Sequence, residues 1–281
     1  MARTVLVFAY SGAAFEGYAR QPDARLRTVE GALISALSEA KIAADAEGAR
    51  LRSGSRTDRG VSARRNVATF ESALEPEDVA PALGTKIPGL WPLSSGPAAE
   101  GFDPRKASWR EYRYFLAPRD VPAGTSRHDL DAAFRPFVGR HDFSAFARVE
   151  AGRDPTRTVL GVDVEPGPDG LIAVRVQGQA FLWQQVRRMV AAALAVVRKE
   201  ATTDEIAMFL TDAAKARDLG VAPAHPLVLW DVAYPGGLPV PTKSHAARLA
   251  ARLEGRWHAT AVSSRIESAL LADLGRRLPG D

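Results

Sequence analysis

Seven consecutive residues, Ser55-Arg56-Thr57-Asp58-Arg59-Gly60-Val61, set one carboxylate between two arginines in a turn bracketed by Gly54 and Gly60. Glycine at both ends frees the backbone to turn sharply and lets a ligand come close to the main chain. Asp58 then points outward with a guanidinium on either side. Those cations are counter-charges for the carboxylate and also attract phosphate, so the loop offers an anionic nucleophile inside a cationic frame, a pairing suited to chemistry on a nucleic acid. An ordinary Asp/Gly surface turn with incidental arginines fits the same seven residues.

A second charged group falls beside apolar neighbours. From Gln179 to about Lys199 the spacing predicts a long helix. Trp183, Val186, Val190, Leu194 and Val197 form its apolar stripe, with Arg187 at the edge and Arg188 turned farther round. Breaking a buried ion pair costs at least about 3 kcal/mol, so either an anion lies opposite Arg187 or its head snorkels to water. Between these two segments, Ser108 to Ala117 alternates as a strand. Arg110, Tyr112, Tyr114 and Leu116 share one face, and Trp109, Glu111, Arg113 and Phe115 the other. Tyr112 fits a packed strand aromatic. His141-Asp142 looks like half a triad, but the five histidines show no metal-ligand spacing, and no Gly-x-x-x-x-Gly-Lys-Ser/Thr phosphate loop occurs.

Composition bounds the class. The 281 residues suggest about two domains. The absence of cysteine removes disulfides, thiolate catalysis and Cys-ligated zinc, which fits a reducing cytoplasm. The N-terminal apolar run Val5 to Tyr10 is too short for a signal peptide core, and no stretch is long enough to span a bilayer, so a soluble protein is expected. Net charge is modest, 37 Lys+Arg against 33 Asp+Glu or +4. Its distribution says more. Arg50, Arg52, Arg56, Arg59, Arg64 and Arg65 crowd the Asp58 loop, and Arg105, Lys106, Arg110 and Arg113 crowd the paired tyrosines. Basic residues gathered near a candidate nucleophile are the electrostatic footprint of RNA binding.

The elements that must position these groups alternate along the chain. Thr4 to Tyr10 reads as a buried strand and Thr28 to Ala40 as a helix, and two strands bracket the Asp58 loop, ending near Ser53 and beginning near Asn66. After a Pro/Gly-rich join at Pro118 to Gly124, a second set begins with a helix near Asp129 to Phe137. Strands at Thr158 to Glu165 and Leu171 to Gln177 lead into the long helix. Thr202 with Glu205 has the form of a capping box, Pro226 to Tyr234 is a last strand, and Pro235 to Pro239 is a linker to a helical tail with apolar stripes at Ala246 to Leu253 and Ile266 to Leu274.

From about Val5 to Tyr234 the chain resembles the TruA family of tRNA pseudouridine synthases. Ser55 to Ala63 matches that family's loop Gly-Arg-Thr-Asp-x-Gly-Val-x-Ala. Tyr10-Ser11-Gly12 with Phe15, Gly17 and Gln21 resembles its opening motif. Phe102-Asp103-Pro104-Arg105, Arg110 to Tyr114, Gly139 to Phe143, Arg157-Thr158, Gly178 to Leu182 and Gln185-Val186-Arg187 follow in the family's order. Arg59 and Ser62 stand where bacterial members commonly have Ala and His, which is closer to archaeal and eukaryotic relatives.

The resemblance implies an α/β (α+β) fold of two similar halves around a long central antiparallel sheet, with a basic cleft between them. The boundaries expected are 1–122 for the half with the catalytic loop, 123–237 for the second half and 238–281 for a helical extension. It implies isomerisation of uridine to pseudouridine in tRNA, by family resemblance at positions 38–40 of the anticodon stem-loop, by a cytoplasmic homodimer using neither cofactor nor metal. Asp58, Tyr112 and Arg187 would be catalytic, with Arg187 ion-paired to Asp58. Arg56, Arg59, Arg64, Arg65, Arg105, Arg110, Arg113, Phe181 and Leu182 would bind substrate. A different tRNA site or wider RNA range, and a non-catalytic tRNA chaperone on the same scaffold, are the alternatives.

Overall fold

The computed structural model describes residues 2–23, 25–43, 46–84 and 86–254. Among these described residues, nine strands form one sheet: β1 (Ala2–Tyr10), β2 (Arg52–Ser53), β3 (Ser62–Ser72), β4 (Leu90–Pro97), β5 (Trp109–Leu116), β6 (Gly139–Asp142), β7 (Thr156–Pro166), β8 (Ile172–Gly178) and β9 (Leu227–Ala233). Their order is β4-β1-β3-β9-β5-β8-β7-β6, with β2 paired to β3. The α-helices of this unit are α1 (Val29–Glu39), α2 (Ala46–Ala49), α3 (Val79–Leu83), α4 (Arg127–Phe134), α5 (Gln185–Val197) and α6 (Thr203–Thr211). Residues up to Pro239 form one compact unit. A second begins at Val240, with residues 243–254 helical and the Thr242 hydroxyl accepting from the His245 amide at 3.3 Å. The apolar stripe expected at Ile266 to Leu274 lies outside the described residues.

Burial follows pattern. In β1, Thr4 to Phe8 are all buried, so this strand is covered on both faces and reads as an uninterrupted apolar run rather than an alternation. Helix α1 starts where the Thr28 hydroxyl accepts from the Gly31 amide, and it buries Val29, Leu33, Ala36 and Leu37, one stripe at helical spacing. The capping box at Thr202 and Glu205 opens α6. Between Gln185 and Val197, α5 buries three alanines, Ala192, Ala193 and Ala195, among its apolar residues, small side chains that let it sit close against its neighbours.

Three expectations need correction. The long helix begins at Gln185, six residues later than its periodicity indicates, because Gln184 takes a left-handed conformation at φ 63° and breaks the helical path. Trp183 is therefore off the helix, and it is exposed. The helix near Asp129 to Phe137 runs as α4 from Arg127 to Phe134 and then tightens into a 3₁₀ turn, Arg135–Phe137, around Pro136. The sheet is mixed rather than antiparallel throughout: β3 and β9 run parallel, joined at Ser62 with Val228 and at Ala63 with Leu229. That short joint closes the sheet between strands distant in sequence. It sits immediately after the Asp58 loop.

Candidate active site

The Asp58 loop leaves β2 and enters β3, and nearly every residue before Asp58 is tied down. Gly54 donates its amide to the Val67 carbonyl at 2.8 Å. A Cβ at Gly54 would lie 2.8 Å from the Tyr234 hydroxyl and 2.9 Å from the Pro104 carbonyl, so this glycine is required for space. Asn66, fully buried, donates from Nδ2 to the Ser55 carbonyl at 2.9 Å. Thr57 Oγ1 meets the Tyr10 hydroxyl at 2.8 Å. Gly60, at φ 86°, makes the turn out. A Cβ on Gly12 would fall 2.4 Å from the Gly60 carbonyl carbon, so the turn after β1 presses directly on the loop's exit, and the Gly12 amide donates to Ser62 Oγ at 3.0 Å.

Arg110 completes the brace. Its Nε donates to Ser55 Oγ at 3.1 Å, its Nη1 to the Gln179 carbonyl at 2.6 Å, and its Nη2 to the carbonyls of Gly54 at 3.2 Å and Arg105 at 2.8 Å. A buried guanidinium with every nitrogen engaged by protein is a strut tying the loop to the approach of α5. Across from Asp58, Arg187 Nη1 stands 2.6 Å from Asp58 Oδ2, and its Nε donates to the Ala222 carbonyl at 2.7 Å. Both side chains are mostly buried, at 15 % and 18 % exposure, a setting in which an ion pair is screened little. Arg188 turns away and pairs with Asp218 at 3.1 Å.

Around this pair opens a cleft of about 750 Å³, lined among others by Arg56, Asp58, Arg105, Arg110, Tyr112, Phe181, Leu182, Val186 and Arg187. Tyr112 and Phe181 meet edge to face, with ring centroids 5.2 Å apart. Arg56 is exposed and is held by no hydrogen bond or ion pair among the described residues. Arg105 grips both oxygens of Asp103, at 3.0 and 2.7 Å, and this fork holds the Asp103 carboxyl well below the usual carboxylate range. Arg52 and Arg153, also exposed, extend the cationic lining, with Arg153 3.3 Å from Glu150.

Four other arginines lie outside the cleft lining. Arg59 pairs with Glu16 at 2.7 Å, and Arg65 with Asp231 at 2.9 Å. Arg113 reaches Glu111 at 3.0 Å and Glu165 at 3.1 Å, and its guanidinium lies 4.3 Å from the Trp230 ring centroid. Arg64 approaches the same ring at 5.1 Å. These neighbours come from strands β5, β7 and β9 and from the turn after β1. Sequence proximity to Asp58 gave no view of them. The sequence also missed Asn66, whose role is visible only once β3 is seen to carry it beneath the loop, and Arg153 and Trp183 at the cleft rim.

Burial pushes the Tyr112 hydroxyl up to about 12, with Arg110 opposing and Asp58 reinforcing the shift. At neutral pH roughly one such group in 10⁵ is phenolate, so Tyr112 works as a neutral phenol. The pattern is general. All five tyrosines of the chain are buried. Loss of hydration pushes Tyr114 and Tyr234 up to about 12 as well and raises Tyr10 and Tyr18. Because the folded values lie above the unfolded value near 10, the associated stability is fully present below pH ~10 and is lost as pH rises toward and through 12. Absorbance at 295 nm should therefore stay flat through pH 10 and rise only as pH approaches 12 or circular dichroism is lost. Tyrosine ionisation near pH 10 in folded protein would contradict this burial.

Cleft, carboxylate and arginines together define the class: an enzyme shaped for an anionic substrate. Residues 133–235 match the family model described as tRNA pseudouridine synthase. The tRNA pseudouridine synthase A of Thermococcus onnurineus is 37 % identical over 238 residues, 83 % of this chain and 85 % of that protein. The enzyme of the same name from Methanoculleus marisnigri is 41 % identical over 236 residues, covering 83 % of this chain and 82 % of its own. With such relatives spanning most of its length, the chain belongs to the tRNA pseudouridine synthase family. One solved structure is more distant. A chain of an archaeal box H/ACA sRNP complex aligns at TM-score 0.35 and 9 % identity, covering 68 % of this chain and 42 % of that one, a likeness too slight to add to the assignment.

Proposed function

We propose that this protein isomerises uridine to pseudouridine in tRNA, and the observation that carries the proposal is the Asp58–Arg187 pair at the floor of a cationic cleft. In this reaction the bond from N1 to C1′ breaks, the uracil turns within the pocket, C5 bonds to C1′, and the C5 proton leaves while N1 gains one. Atoms and electrons balance within the nucleotide, so nothing external is consumed. Asp58 acts at C1′, either by bonding to it and leaving again or by a route through a glycal. Arg187 fixes the carboxylate's direction from its anchor on the Ala222 carbonyl. Tyr112 stacks on the uracil, with Phe181 and Leu182 as apolar walls that keep the detached base in place. Arg56 fills the space left when the nucleotide is extruded from its stack.

Phosphate contact falls first to Arg56 and Arg105 in the cleft, then to Arg59 and Arg64, exposed beyond it. Arg65 and Arg113, facing carboxylates and more shielded than the ion-paired but exposed Arg59 and Arg105, have less charge to offer. Arg110 acts on substrate through the loop it braces. The target by family resemblance is the anticodon stem-loop, positions 38–40, and the working form is a cytoplasmic homodimer whose halves, 1–122 and 123–237, flank the cleft.

The test is tritium release from tRNA labelled at C5 of uridine, followed by mapping of pseudouridine in the product. Release without accumulation of free uracil is expected. Accumulation of uracil, or no release from any tRNA, would overturn the reading. Pseudouridine outside positions 38–40 would remove only the anticodon assignment.

A further inference from the structure

Just before α5 the chain makes an abrupt turn whose effect is to hold one indole in the open. Trp183 is 52 % exposed, whereas Leu182 and Gln185 on either side of the turn are buried. Three features fix this arrangement. Gln184 adopts φ 63°, which reverses the path. The buried Gln185 accepts through Oε1 from the Leu182 amide at 2.8 Å. The Arg148 amide donates to the Trp183 carbonyl at 2.9 Å in an isolated antiparallel bridge. The Arg148 guanidinium then lies 4.7 Å from the Trp183 ring centroid, a cation over the ring. Trp183 lines the same cleft as Asp58, four residues ahead of Arg187.

Leaving a tryptophan half in water forfeits burial that most folds would use. A flat ring, braced from behind and set at the rim of a cationic cleft, has the chemistry of a stacking surface, which accepts any nucleobase because every base has a π-face. We propose that Trp183, backed by Arg148, is a stacking shelf for an unpaired nucleobase adjacent to the uridine drawn into the cleft. The inference rests on the pseudouridine synthase reading and adds a contact to it. The shelf binds substrate and transition state alike, so it acts on affinity and leaves the chemical step unchanged.

The experiment compares wild type, Trp183→Phe and Trp183→Ala, using unmodified tRNA transcript as the probe. Trp183→Ala should weaken tRNA binding about 5- to 150-fold, the range of one lost base stack, with the slope of log affinity against log salt unchanged because no charge is removed. Its single-turnover rate at saturating tRNA should stay within about twofold of wild type. Trp183→Phe should recover most of the affinity, yet the tryptophan quenching caused by tRNA should shrink, since the reporting indole is gone. Unchanged affinity in Trp183→Ala, an altered salt slope, or quenching identical in wild type and Trp183→Phe would each overturn the shelf. A folding defect in the Ala variant leaves the Phe quenching measurement decisive. Wild-type tRNA binding without tritium release would strike the enzymatic reading and leave the shelf standing. Tritium release in wild type, with tRNA affinity indifferent to Trp183, would strike the shelf alone.

Discussion

Changing Asp58 to Asn should lower tritium release by about four orders of magnitude or more, the scale on which removal of a central catalytic group acts. The substitution is close to isosteric. An amide oxygen can still accept from Arg187 Nη1, the donor now 2.6 Å from the carboxylate, and the ties at Gly54, Ser55 and Thr57 do not involve the changed atoms. The loop should keep its shape while losing the charge proposed to act at C1′. Affinity for tRNA should hold or rise a few-fold, because an anion has been removed from a cleft that meets phosphates. Filter binding and single-turnover tritium release on the same preparation separate the two effects. Turnover within tenfold of wild type would take Asp58 out of the chemistry, and a large loss of binding would show that the charge serves the loop instead.

Arg187→Met should lower activity by about 10² to 10³-fold and also destabilise the fold, a combination that Asp58→Asn should lack. The guanidinium satisfies two acceptors from one planar group, Asp58 Oδ2 and the Ala222 carbonyl. Met keeps the apolar stem but leaves both acceptors largely shielded from water and without a donor, at a cost of about 1 to 3 kcal/mol. For a chain of this size that corresponds to a fall in Tm of about 2 to 12 °C. Lysine at the same position should recover little, since a single ammonium cannot reproduce the fork that spans both acceptors. Melting curves and tritium release across Arg187→Met and Arg187→Lys test the assignment. An Arg187→Met enzyme of wild-type Tm and rate would mean the pair is ornamental.

How far the site could be read before the structure depended on whether each group's neighbours were near in sequence. The Asp58 loop is local, and the glycines and charges that shape it are adjacent to it. Helix α1 and the capping box of α6 were legible for the same reason, being written at helical spacing with their caps in place. Periodicity put Arg187 at the edge of an apolar stripe and left open whether an anion or water faced it. Resemblance pointed to Asp58, 129 residues away, and in the structure the two lie 2.6 Å apart. The start of α5 was misplaced because a left-handed glutamine has no sequence signature, and the miss moved Trp183 from an imagined core stripe to the rim. The ion pairs of Arg65 and Arg113 depend on which strands lie side by side, and the parallel joint of β3 with β9 could not be inferred from either strand alone.

That joint also sets a schedule for the growing chain. Ala63, at the exit of the Asp58 loop, is held between Tyr10 of β1 and Leu229 of β9, and Arg187 is anchored on Ala222 just upstream of β9. At synthesis rates of about 5 to 20 residues per second, the 129 residues between Asp58 and Arg187 mean that the carboxylate emerges roughly 6 to 26 s before its partner. For all of that time, and until β9 docks, a ribosome-bound chain holds the Asp58 carboxylate without the arginine that pairs with it. The Asp58–Arg187 pair thus arrives late and all at once, when a contact of long sequence separation, the slow kind to form, finally closes.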